Sequence, residues 1–169
     1  MIGIRGQFSR MTAAGLAATV SAGFMLFAAS PASAADRNGC SATIDTPHVS
    51  TGAGGVIAKG RWQCTSVPTT VFLSTATTGL LLWLCPQNPQ PSESYLTNPN
   101  NHCNAMGYNF GDFDVDVAGQ TYTRWVPPQG TPGAHGSGYW VACAVWFTTG
   151  PNGTSQDQTT FSPIWHGSG

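Results

Sequence analysis

Lys59 is the only lysine and Glu93 the only glutamate in a chain of 169 residues. That shortage constrains the fold more than any motif, because exposed helix faces draw on Lys, Glu, Arg and Gln for propensity and for i,i+4 ion pairs. An all-α fold is excluded on these grounds. Charged residues make up only 8% of the chain against 41% hydrophobic and 11% aromatic, so it gains too little from solvation to remain disordered. Numerous Gly and Pro residues separate short β-branched and aromatic runs, the pattern of strands and turns. Six Lys plus Arg against seven Asp plus Glu cannot build a phosphate-tracking face, so nucleic acid is excluded as a partner.

Arg5 and Arg10 precede an uncharged apolar run from Met11 to Ala29, followed by Pro31 and Ala32-Ser33-Ala34. A positive segment, an apolar segment and a small-x-small site in that order read as a secretory signal peptide over residues 1–34, cleaved after Ala34. Cys40 follows Arg37-Asn38-Gly39 rather than a short apolar-small motif, so lipid anchoring is not expected. Residues 35–169 then form a single secreted domain, long enough to bury a hydrophobic core without a cofactor. Loss of Arg5 and Arg10 leaves it acidic, with no attraction to an anionic membrane.

The domain reads as seven or eight strands with no helical periodicity between them. Residues 41–50 alternate with Pro47 interrupting, which marks an edge strand. The cluster at residues 52–55 turns a hairpin whose second strand puts Trp62 and Cys64 inside. A strand is expected from Pro68 to Thr75, a turn at Gly79, and a strand buried on both faces from Leu80 to Leu84. Residues 86–102 are nearly devoid of apolar side chains and form the longest loop. Asp112, Asp114 and Asp116 alternate with Phe113, Val115 and Val117, and with Thr121 to Val126 they suggest a second hairpin. A flexible connection from Pro127 to Gly138 leads into the strongest strand, Tyr139 to Thr148, and Thr159 to Trp165 closes the set. The tetrapeptide His135-Gly136-Ser137-Gly138 recurs as His166-Gly167-Ser168-Gly169, but nothing around either copy matches, so no repeat is inferred.

Cysteines in an exported chain are cross-links more often than metal ligands. Folding the first hairpin brings Cys40 level with Cys64, and Cys85 and Cys103 bracket the long loop. Those pairs are expected as disulfides, leaving Cys143, between Ala142 and Ala144, as a buried free thiol. The order Cys64, Trp83, Cys143 resembles the Cys, Trp, Cys order of immunoglobulin domains. That resemblance implies an antiparallel immunoglobulin-like β-sandwich and an alternative bridge from Cys64 to Cys143. The chain departs from the family pattern in carrying Tyr139 four residues before Cys143, where two is the rule.

No catalytic constellation stands out. There is no G-x-S-x-G elbow, Glu93 stands alone in a loop, and the Asp run lacks the Gly and Glu that a calcium loop needs at its sixth and twelfth positions, where Val117 and Thr123 stand. His48, His102, His135 and His166 are scattered without an i,i+4 pair, so neither a metal nor any other cofactor is expected. The aromatics are the informative excess. On the strand Trp140 to Phe147, Val141, Cys143, Val145 and Phe147 share one face, and Trp140, Ala142, Ala144 and Trp146 the other. The tryptophan face is either core or a possible binding face for a sugar or a protein. The function expected is that of a secreted, non-catalytic sandwich binding a protein partner or acting in the cell envelope. The alternatives are a polysaccharide-binding module using Trp140 and Trp146, and a protease inhibitor presenting residues 86–102.

Overall fold

The computed structural model describes residues 32–35, 39–64, 75–114, 119–149 and 155–169. Among the described residues, ten antiparallel strands form two sheets. The first holds β1 (Ala32–Ala35), β2 (Cys40–Ile44), β4 (Gly55–Cys64) and β3 (His48–Ser50) in that order, with β7 (Thr121–Val126) on the other side of β4. The second holds β10 (Trp165–Ser168), β8 (Ser137–Thr149), β5 (Thr75–Cys85) and β6 (Asn104–Asp114), with β9 (Ser155–Phe161) also on β8.

Two pairs of short strands are single strands interrupted once. β2 and β3 pair with successive stretches of β4, and the break between them contains Pro47, which cannot donate to a ladder. β9 and β10 likewise follow β8 on either side of residues 162–164. There the Ser162 hydroxyl accepts from Ala142 N at 2.9 Å, which replaces the lost ladder bond. Counted this way there are eight strands: the first, second, third and sixth form one layer and the eighth, seventh, fourth and fifth the other.

Three sequence expectations change here. Gly79 is not a turn, since β5 runs straight through it from Thr75 to Cys85. Of the strand expected from Pro68 to Thr75, residues 68–74 lie outside the described residues. Second, β6 and β7 do not pair as a hairpin: β6 pairs with β5 and β7 with β4, so the chain crosses between sheets. Side-chain ties join them instead. Arg124 donates through Nε to Thr78 Oγ1 at 2.8 Å and through Nη2 to Asp112 O at 3.2 Å, and Asn109 Nδ2 donates to Trp125 O at 2.9 Å. Third, the connection expected to be flexible between β7 and β8 is pinned to β4. Val56 and Ala134 exchange both backbone bonds, at 2.8 and 2.9 Å, and Gly133 N donates to Ala53 O at 2.7 Å.

The repeated tetrapeptides lie side by side. Ser137 and Gly138 pair with Ser168 and Gly167, and Gly136 and Gly169 bond each other through both backbone groups. Gly136 has φ 147°, and a Cβ there would strike the Leu84 side chain, so the shared composition reflects close packing at this end of the sheet.

Between the layers lies a core built on Trp62, Trp140, Trp146, Ile44, Leu80 and Leu82, all fully buried. Each such side chain stabilises the fold by about 1.5–3 kcal/mol relative to an exposed one. The disulfides Cys40–Cys64 and Cys85–Cys103 form, and Cys143 is a buried free thiol. Cys40 and Cys64 face each other directly across the β2–β4 ladder. The bridge between Cys64 and Cys143 that the immunoglobulin resemblance implies is absent.

Candidate functional site

Strand β8 decides which aromatics are displayed. Trp140 and Trp146 are 0% and 1% exposed and point between the sheets, with Ala142 and Ala144, so they offer no binding face. Trp62 of the facing sheet belongs to the same buried cluster. Trp140 Nε1 donates to Gly167 O at 3.2 Å, which satisfies its polar atom within the fold. It is the other face of β8, Val141, Cys143, Val145 and Phe147, that looks away from the core.

That outer face of the second sheet is largely apolar and is covered over one half only. Residues 86–102, bridged at their ends by Cys85–Cys103, fold back over it. Ser92 caps a helical turn, α1 (Glu93–Leu96), by accepting from Tyr95 N at 3.3 Å, and a 3-10 turn follows at Pro99–Asn101. Leu96 is driven against Val141 and Cys85, with Trp83, Tyr139 and Phe161 around it. The segment is therefore a folded cover anchored by Leu96. Burial beneath this half, helped by the Glu93 carboxylate, pushes the Cys143 thiol up to about 12 and keeps it protonated.

The other half is open. Tyr108 is 70% exposed, Phe110 51% and Phe147 43%. Their positions follow from register, with Tyr108 opposite Leu81, Phe110 opposite Gly79, and Phe147 opposite Thr77. The Tyr108 and Phe110 rings form one row, centroids 6.2 Å apart, and Leu81 and Val145 lie half-buried on the same face. Gly79 is what seats Phe110. A Cβ at this position would collide with the ring and come within 2.9 Å of Val145 Cγ2, so the ring occupies the space that glycine leaves. Exposed Asp112 and Thr77 flank the row.

The other sequence candidates do not converge. His48 is exposed and its Nδ1 lies 3.1 Å from Thr46 O, His102 ends the 3-10 turn in the left-handed region, and His166 lies against Tyr139 with centroids 4.3 Å apart. Asp112 is exposed on β6, the Asp114 side chain is not described, and Asp116 lies outside the described residues. Among the described residues no three His, Cys, Asp or Glu side chains are grouped as metal ligands would be. Comparison of the chain with protein-family models, curated proteins and solved structures finds no match.

Proposed function

We propose that the protein is an exported, non-catalytic immunoglobulin-like sandwich that acts by binding, with the open half of the second sheet's outer face as its contact surface. The observation that carries this reading is the row of exposed Tyr108, Phe110 and Phe147 over an apolar floor. Apolar patches of this kind on a domain surface mark interaction sites, and aromatic side chains supply most of the energy at such sites.

The layer arrangement supports the immunoglobulin-like assignment. Without β1, the seven strands counted from the interrupted β2–β3 strand place the first, second and fifth in one layer and the seventh, sixth, third and fourth in the other. Immunoglobulin constant-type domains set strands one, two, five and four against three, six and seven, so moving the fourth strand to the other layer yields this order. Two disulfides suit an oxidising compartment, and no helix among the described residues is long and apolar enough to cross a membrane. In this reading residues 1–34 are removed on export. The β1 strand straddles that point, so cleavage after Ala34 strips three of its four residues and makes β2 the sheet edge.

A protein of the cell envelope is the partner this surface fits best, because three exposed aromatic rings lie beside half-buried Leu81 and Val145. A polysaccharide is the second reading. Tyr108 and Phe110 in one row beside Asp112 and Thr77 is an arrangement in which sugar rings can stack and hydrogen-bond. Retention of the purified protein on envelope from the cells that export it, before and after protease treatment, separates the two. Retention abolished by protease identifies a protein, and retention that survives it identifies a glycan. No retention on either overturns the proposal.

A further inference from the structure

The outer face of the first sheet, on the opposite side of the sandwich, carries a cleft of about 500 Å³ between the turn after β3 and the loop after β7. Its size lies within the range of small-molecule sites. Lys59 and Trp125 line it, directly opposite each other in the β4–β7 ladder, together with Ile57 and the walls formed by Pro127, Pro128 and Pro132. The walls are held in place by the Gly133–Ala53 bond and the Val56–Ala134 bridge, so the cleft is preformed.

Its electrostatics are one-sided. Lys59 is the only charged residue among those lining it and the only lysine in the sequence. The neighbouring carboxylate, Asp45, is taken by Arg61, which donates from Nη1 to Oδ1 at 2.6 Å and from Nη2 to Oδ2 at 2.9 Å. Among the described residues Lys59 has no ion-pair partner. An uncompensated ammonium beside an indole and three proline rings is complementary to an anion carried on a flat or ring-shaped body.

We propose that this cleft binds a small carboxylate borne on a six-membered ring. Aromatic acids and uronic acid sugars share that chemistry, and the test separates them. Because Lys59 is unique, reductive methylation with ¹³C-formaldehyde gives one side-chain reporter besides the chain terminus. The probes are 2-naphthoate and digalacturonate, each with an uncharged counterpart, 2-naphthamide and galactobiose. A saturable shift of the Lys59 signal with at least one carboxylate, with its uncharged counterpart bound about tenfold more weakly or worse, is expected. Which carboxylate binds names the source. Calorimetry should then show binding lost about tenfold or more in Lys59→Met and Trp125→Leu, and retained in Lys59→Arg. Lack of a saturable shift with either carboxylate, equal binding of the uncharged counterparts, or undiminished binding to Lys59→Met would overturn the proposal.

Discussion

Gly79→Ala probes the architecture of the exposed aromatic row, because the added methyl takes the space now filled by the Phe110 ring and must also displace Val145 Cγ2 from 2.9 Å. Phe110 is 51% exposed, so it can swing outward, and the cost is the packing it abandons. About half of the 150–250 Å² that an aromatic side chain can bury corresponds to ~100 Å², or at most ~2.5 kcal/mol at 25 cal/mol per Å². Alanine recovers ~0.5–1 kcal/mol over glycine in a strand. The net loss is about 1–2 kcal/mol, read as a lower urea midpoint at unchanged m. In a Phe110→Ala background the ring is gone, and the same change should lie within ~0.5 kcal/mol of neutral or stabilise. With a neutral change in that background the coupling is about 1–2 kcal/mol, above the additivity error of distant sites. A neutral Gly79→Ala in the wild type, or an equal cost in both backgrounds, would refute the seating of Phe110 on Gly79.

Cys143 should react with a thiol reagent only after denaturation, and its stability effect has a defined sign. The unfolded thiol titrates near roughly 8.5, the folded one near about 12. Below the unfolded value both states hold the proton. Above it the unfolded chain ionises first and stability falls by up to ~1.4 kcal/mol per pH unit. Cys143→Ala should lose that slope between pH 8.5 and 10, and equal slopes in the two proteins would contradict the burial. Removing the second disulfide with Cys85→Ala/Cys103→Ala opens a loop of sequence separation 18, which the chain-entropy estimate values at ~3 kcal/mol. It should also loosen the cover over Trp83 and Tyr139, seen as red-shifted tryptophan emission. An unchanged spectrum would show that Leu96 docks without the bridge.

Strand existence, the interruption at Pro47 and the two disulfides were legible because each rests on local chemistry: β-branched runs, a residue without an N–H, and cysteines level across a hairpin. Face assignment on β8 was not. Both of its faces are apolar, and a period of two says which residues share a side but not which side the second sheet covers. The alternation of large and small in Trp140, Ala142, Ala144 and Trp146 was the available signal, since interdigitating layers need such gaps. Gly79 was read as punctuation because glycine ends strands more often than it seats a neighbour's ring. The alternation from Asp112 to Val117 ahead of Thr121 to Val126 suggested a hairpin, but two successive strands do not specify whether the second stays in the same sheet. The loop at 86–102 looked bare because few of its residues, Leu96 and Tyr95 with Pro89, anchor its fold. The cleft beside Lys59 and Trp125 was invisible for a different reason, since its walls come from turns separated by about 75 residues and are joined only in the folded chain, by the β4–β7 ladder, the Gly133–Ala53 bond and the Val56–Ala134 bridge.

Retention of face-specific variants on envelope tests the proposed contact surface most directly. Tyr108→Ser/Phe110→Ser alters the outer face of the second sheet, and Thr43→Glu/Thr121→Glu alters that of the first, on residues outside the cleft. Both variants should first show a cooperative urea transition and intact disulfides, so that folding is held constant. Aromatic anchors at an interface typically contribute 2 kcal/mol or more, so the first pair should weaken retention about thirtyfold or more and the second should leave it unchanged. Full retention of Tyr108→Ser/Phe110→Ser together with loss in Thr43→Glu/Thr121→Glu would contradict the assignment and move the binding surface to the opposite sheet.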